Sequence, residues 1–164
     1  MATIHGDNIM LDQIRAELYA QMSALKTAMV AANVSPRPAA IYDSHEQIFM
    51  SLPAISIGLI EVVIDAGDIG RSRAASGSLT KIYELTWDIR VHSDYRDGYL
   101  DGITVSRLLN SIMNWFAVYE NLNLSELLYH EITELKTAES FEESLTIGGR
   151  LNLKLKIALQ HTQA

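Results

Sequence analysis

The sequence predicts an α+β domain in which a mostly antiparallel mixed sheet of about four to five strands is packed by two amphipathic helices. Two segments carry apolar residues at helical intervals of three and four, and two others alternate strictly between apolar and polar residues. Adjacent strands that are joined by loops usually pair antiparallel. Because the helices have only the sheet on which to bury their apolar faces, we expect two layers of one domain spanning residues 1–164.

The first helix is predicted at about residues 8–33. Its apolar face consists of Ile14, Leu18, Met22, Leu25 and Met29. Asp7 or Asn8 is a suitable N-cap. Pro36 and Pro38 end the pattern, because proline disfavours helix in the preceding residue and cannot continue one.

A short strand is predicted at 39–43 and, after a connector, a longer one at 54–65. The longer strand has Ile55, Ile57 and Leu59 on one face and Ile60, Val62 and Ile64 on the other. Apolar residues on both faces predict that the strand is covered on two sides or that its second face meets a partner. The second set is therefore a candidate interaction surface.

A long loop is predicted at 67–81, rich in glycine and serine and locally basic. Loops of this length in compact domains are usually functional or disordered. Its candidate contact residues are Gly67, Asp68, Arg71, Arg73 and Lys81. Docking to an acidic partner and simple solvation are both open interpretations.

The clearest strand is predicted at 82–92, where apolar residues alternate with polar ones. One face belongs to the core. The other is expected to be solvent-exposed, and its candidate contact residues are Glu84, Asp88 and Arg90.

The second helix is predicted at about 97–120, and two strands follow at about 127–137 and 151–160. In the first of these strands we expect Leu128, His130 and Ile132 to share one side. Between the two strands, the Gly148-Gly149 pair predicts a turn.

No chemistry is readable in the chain. It contains no cysteine, which excludes disulfides and thiolate ligands. The Gly-rich start of the long loop lacks the lysine of a phosphate-binding loop and leads into a strand. The histidines His5, His45, His92, His130 and His161 show no metal-ligand spacing. We therefore predict no catalytic residue, no cofactor and no metal.

Charge and hydropathy limit the possible partners. The net charge of −7 disfavours general binding to phosphate backbones. No stretch has the length of apolar sequence that a membrane helix requires, and the N-terminus does not have the pattern of a signal peptide.

One run of residues resembles a known family. Ile82-Tyr83-Glu84-Leu85-Thr86-Trp87-Asp88-Ile89-Arg90-Val91-His92-Ser93, followed by Asp94-Tyr95-Arg96-Asp97-Gly98 and an amphipathic helix, is similar to the centre of phage tail terminator (tail completion) proteins. Ile41-Tyr42-Asp43 and Leu52-Pro53-Ala54-Ile55-Ser56-Ile57 resemble that family's first strands, and Arg150-Leu151-Asn152-Leu153-Lys154-Leu155-Lys156-Ile157 resembles its last. The similarity in element order covers about residues 8–160.

The resemblance implies a structural virion protein of the phage tail or neck, made in the host cytoplasm. Its subunits would form a hexameric ring that caps the tail tube, stops tube polymerisation and joins the head connector or stopper protein. DNA would pass through the lumen without sequence-specific binding. The polar face of 82–92 would then be a lumen or partner face, with an acidic lumen along which DNA slides, and the long loop would order on meeting the tube or a neighbouring subunit.

Two alternatives stay open. Another neck component, such as a connector or stopper, or a tail tube protein has the same expected fold, and fold alone is weak evidence of function. A protein of a different class, binding a small ligand or acting as an enzyme, would show a deep pocket with convergent polar groups and perturbed pKa values.

Overall fold

The computed structural model of the chain describes residues 10–46, 51–65, 78–93, 98–118, 122–124, 126–141 and 146–162. The helices are α1 (Met10–Ala31) and α2 (Gly98–Val118), and the strands are β1 (Ala40–Tyr42), β2 (Ala54–Asp65), β3 (Ser78–Ser93), β4 (Leu127–Phe141) and β5 (Thr146–Thr162). They form one mixed sheet in the order β1-β2-β3-β5-β4. Only the β1–β2 pair is parallel. The predicted α+β class is confirmed.

Both helices lie on one face of the sheet. α1 packs on β1 and β2, whereas α2 packs on β3, β5 and β4. The predicted apolar face of α1 is buried throughout. The helix ends at Ala31, and beyond it the positive φ of 53° at Asn33 lets the amide of Val34 bond back to Met29 O at 2.9 Å. No helix of the described segments is long and apolar enough to cross a membrane.

A β-bulge in β2 changes the faces that the alternation predicted. The pairing of β2 with β3 shifts between Leu59 and Glu61, so Ile60 is an extra residue without an opposite partner. Beyond the bulge, Val62 lies opposite Leu85 and so belongs to the helix-bearing face. The prediction that Ile60, Val62 and Ile64 share the second face is therefore wrong, because the bulge reverses the alternation.

The predicted loop 67–81 also extends too far. β3 begins at Ser78, which pairs with Thr162 of β5, so Lys81 belongs to a strand and not to a loop. The long partner strand extends the ladder beyond the segment in which β3 alternates most clearly. Residues 67–77 lie outside the described residues.

The predicted turn at Gly148-Gly149 is a strand instead. Both glycines are buried in β5 and pair with β3, and Gly148 also pairs with Glu139 of β4. A Cβ on Gly148 would collide with the carbonyl oxygen of Val91, and one on Gly149 would meet that of Lys136. These glycines therefore allow neighbouring backbones to approach closely.

The face of the sheet opposite the helices is less exposed to solvent than predicted. Alternation placed Asp88 and His92 of β3 on a solvent-exposed face, yet each is only 1% exposed. Ser56 of β2 lies on the same face and is 0% exposed. Burial of polar groups requires hydrogen-bond partners, and these partners define the candidate site.

Candidate functional site

The polar face of the sheet, opposite the helices, carries a chain of hydrogen bonds at the end where β1 lies. The Oγ atom of Ser56 lies 2.6 Å from Nε2 of His92 and 2.6 Å from Nδ1 of His45. The second ring nitrogen of His45 lies 3.5 Å from Oδ2 of Asp88. Arg90 donates from Nε to the same carboxylate oxygen at 2.6 Å. The chain therefore ends on an ion pair.

Strand register and one glycine bring these groups together. Ser56 lies opposite Arg90, and Gly58 lies opposite Asp88. His45 comes from the connector after β1, and its ring lies over Gly58, where any Cβ would collide with it. Gly58 thus leaves the space through which the imidazole reaches both Ser56 and Asp88.

The protonation states of His92 and Asp88 follow from their burial and from their neighbouring groups. Burial is the main cause that lowers the pKa of His92 to about 3, so its ring is neutral at pH 7. The single hydroxyl proton of Ser56 is donated to one of the two ring nitrogens, and the other ring nitrogen donates to Oγ. For Asp88, burial raises the pKa, but the nearby His45 ring and the hydrogen bond and charge of Arg90 outweigh it, and the pKa lies below its ordinary value. Asp88 is therefore ionised at neutral pH, with Nε2 of His45 3.5 Å away.

Ser56, His45 and Asp88 have the composition of a hydrolase triad, in which a base binds both the nucleophile and a carboxylate. A nucleophile must reach its substrate, and Ser56 is 0% exposed. A cavity lies beside these hydrogen-bonded residues and has a volume of about 410 Å³. It is lined by Arg15, Asp43, Ser44, His45, Glu46, Gly58 and Leu59. Ser56 is not among these lining residues. The geometry thus supports a structural network that holds the connector on the sheet.

The centre of the polar face carries a second arrangement, a shared ion pair. Glu84 of β3 lies 3.8 Å from Nζ of Lys154 and 3.9 Å from Nζ of Lys156, both on β5. The three side chains are 27%, 32% and 26% exposed, respectively. Ion pairs that water reaches contribute only about 0–1 kcal/mol each, so they set local charge more than stability.

The described side chains do not make this face acidic. The register places on it the carboxylates Glu61, Glu84, Asp88, Glu131 and Glu134 and the cations Arg90, Lys136, Arg150, Lys154 and Lys156. Among these residues carboxylates and cations are equal in number, and the register places two further acidic positions on the same face, Asp65 opposite Ile82 and Glu139 opposite Gly148.

The predicted contact residues of β3 differ in their surroundings. Glu84, Asp88 and Arg90 lie on the polar face as predicted. The carboxylate of Asp88 is buried against Arg90, so neither is an open contact residue, whereas Glu84 is accessible. The sequence pattern did not distinguish them because alternation reports the face and not what covers it.

Exposed apolar side chains lie near both edges of the sheet. At the end of β2, Ile60, Val62, Val63 and Ile64 are 51%, 39%, 43% and 56% exposed. On β4, Leu128, Tyr129 and Leu135 are 54%, 41% and 42% exposed. The first group contains the predicted contact residues Ile60, Val62 and Ile64. The β4 group was not predicted.

The predicted contact residues Gly67, Asp68, Arg71 and Arg73 lie outside the described residues. Lys81 lies in β3 opposite the buried Leu159, on the helix-bearing face, and is not part of the polar face.

Sequence reasoning did not predict the hydrogen bonds that join His45, Ser56 and His92. Two signals were present: Gly58 in the middle of an apolar strand, and Ser56 interrupting the same apolar run. Neither identifies the partner, because His45 comes from outside the sheet.

Among the described residues, no group of three or more histidine or acidic side chains could hold a metal ion. The chain matches no protein-family model and no curated protein.

Proposed function

We propose that this chain is a structural ring subunit of a phage neck that acts as a tail terminator. The ring caps the tail tube, stops its polymerisation and joins the tail to the head connector. The observation that carries the proposal is the pair of exposed apolar groups near opposite edges of one sheet, at Ile60–Ile64 and around Leu128. Closed rings require two different, complementary patches on each subunit.

The polar face is the surface that we assign to the lumen. Its lysines and arginines are matched by carboxylates, as in the sharing of Glu84 between Lys154 and Lys156. A wall whose cations are matched by carboxylates does not hold a phosphate backbone, since such binding depends on free cations. DNA would then pass without sequence-specific contacts.

The fold is equally compatible with another neck ring or with a tail tube protein, so the assembly partner decides between them. The enzymatic alternative has one arrangement in its favour, the triad-like chain through Ser56. Burial of its hydroxyl makes that alternative weaker than the ring.

The first test is the mass of the purified protein by light scattering at two salt concentrations, with negative-stain images of the same sample. The expected result is a closed ring of hexameric mass, either alone or on addition of tail tube protein. Added to polymerising tube protein, the ring should bind one end and stop elongation. A monomer that neither binds nor stops tubes would overturn the proposal.

A further inference from the structure

Among the described residues, no strand pairs with the outer edge of β2 along most of its length. β1 pairs only with Ala54–Ser56. The next carbonyl, that of Ile57, lies 3.5 Å from the guanidinium of Arg15. From Gly58 to Asp65 no described strand lies beside β2. Native proteins usually protect such an edge with lysine, proline, a β-bulge or a covering element; this segment contains neither lysine nor proline and has one bulge, at Ile60.

At the opposite edge of the sheet, β4 has no further described strand beside it and lies at the same level. Across the register, Ile64 lies beside Tyr83, which lies beside Ile157, which lies beside Leu127. The exposed Leu128 and Tyr129 follow directly on β4. The apolar end of β2 and the apolar beginning of β4 are therefore level with each other on opposite edges.

Strand direction also matches. β2 is antiparallel to β3, β3 to β5, and β5 to β4, so β4 runs antiparallel to β2. A cyclic assembly repeats the subunit by rotation. In a ring whose neighbouring sheets lie side by side, the β4 edge of one copy therefore meets the β2 edge of the next in antiparallel orientation.

We propose that adjacent copies of this chain join by main-chain pairing of β2, along 58–65, with the first half of the neighbour's β4, so that the sheet continues from subunit to subunit. This inference rests on the proposed ring and names the surfaces that close it. The occupant of the β2 edge is a second copy, because the chain itself supplies an open strand of matching direction, level and apolar character. Pairing covers the exposed apolar side chains and satisfies the free backbone groups.

Charge selects the register within this pairing. Without any stagger, Glu61 of one copy would face Glu131 of the next, since both lie in line with Thr86 and Lys154 in the sheet. Like charges directly opposite each other are destabilising. A slip of two residues places Glu61 opposite Tyr129, and sheets that close on themselves require stagger. We therefore expect the slipped register.

Cysteine pairs test the pairing sharply, because the chain contains no cysteine of its own. In an antiparallel pair, opposite Cα atoms lie about 4.5–5.5 Å apart, which a disulfide can span. Three double variants sample the registers: Glu61→Cys with Tyr129→Cys, Val63→Cys with Tyr129→Cys, and Val63→Cys with Glu131→Cys. The control combines Val30→Cys, half-exposed on α1, with Tyr129→Cys.

On oxidation, we expect the first pair to give a ladder of covalent oligomers that ends at the ring size, with less from the other two and only background from the control. A ring detected by light scattering without a ladder from any of the three pairs would overturn the edge pairing and leave the ring proposal standing. Equal cross-linking of the control would overturn it too. Absence of both ring and ladder, with and without tube protein, would overturn both proposals.

Discussion

The imidazole of His45 lies directly against Gly58, in space that a side chain at residue 58 would occupy. Through this contact a residue of the connector reaches the polar face of β2 and β3 and bonds to Ser56 at 2.6 Å. The described part of the connector is thus attached to the sheet through the side chain of His45.

Gly58→Ala should displace the His45 ring and break its hydrogen bond to Ser56. A buried group left without its partner costs about 1–3 kcal/mol, and we expect that loss in the free energy of unfolding by denaturant. In a His45→Ala background the same Gly58→Ala change should cost much less, because the ring it displaces is already gone. Equal costs in both backgrounds would contradict the proposed contact.

Ser56→Ala removes the hydroxyl between two imidazoles. We expect a loss of about 1–3 kcal/mol in the free energy of unfolding, since both ring nitrogens lose their buried partner. Ser111→Ala is the matched control, because that hydroxyl bonds only to the Arg107 carbonyl on the helix surface, and it should change stability by less than about 0.5 kcal/mol.

The same serine tests the enzymatic alternative. A fluorophosphonate reagent labels serines that are activated and accessible, and the buried Ser56 should stay unlabelled. Stoichiometric labelling of wild type that Ser56→Ala abolishes would instead identify a hydrolase nucleophile.

His92 should make stability depend on pH. Its pKa is about 3 in the folded protein and 6.5 when unperturbed. Between these values the unfolded chain binds a proton that the folded chain does not, so stability falls as pH is lowered from 6.5 towards 3 and is constant with respect to this group above 6.5.

From pH 6.5 to pH 5 the loss due to His92 amounts to about 2 kcal/mol. His92→Gln keeps an amide that can bond to Ser56 but does not titrate, so the fall in unfolding free energy between pH 6.5 and pH 5 should be smaller by that amount. Asp88 does not interfere with this measurement. Its pKa lies below 3.8, so its contribution to the free energy of unfolding is lost only in stronger acid. An unchanged slope would show that His92 is not buried in neutral form.

The apolar patterns predicted most of the fold and little of the site. The stripe from Ile14 to Met29 and the alternation in β3 determined the core, because one buried face leaves a periodic record in sequence. The β2 bulge at Ile60 does not show in the sequence pattern, so the faces predicted for the residues beyond it were the wrong way round. The attachment of His45 depends on a contact between distant segments, which local periodicity does not report.

In β4, too, an irregularity of the strand was not predictable from the sequence pattern. Leu128 was expected beside His130 and Ile132, but a register shift between Leu127 and Tyr129 displaces it, and it is 54% exposed. An apolar residue at such an irregularity looks in sequence like one more core position. Its exposure near a sheet edge is the observation that made β4 a candidate for the second half of the interface.

Ile64→Lys and Leu128→Lys should each reduce assembly without reducing the stability of the subunit. Both side chains are more than half exposed, so the free energy of unfolding should change by less than about 0.5 kcal/mol. A buried lysine in an interface is strongly unfavourable, and the mass by light scattering should fall towards that of a monomer. Val30→Lys, at 50% exposure on α1, is the control and should assemble normally.

Glu84→Gln should turn the polar face into one that retains DNA. The change leaves Lys154 and Lys156 without the carboxylate that they share. Each lysine that gains a phosphate contact should steepen the dependence of log affinity on log salt by about 0.9, measurable by fluorescence anisotropy with a short duplex at low salt. Asp12→Asn makes the same change of charge on the exposed surface of α1 and should leave the affinity nearly unchanged. If both variants bind DNA equally tightly, net charge alone governs binding and the polar face has no special role as the lumen wall.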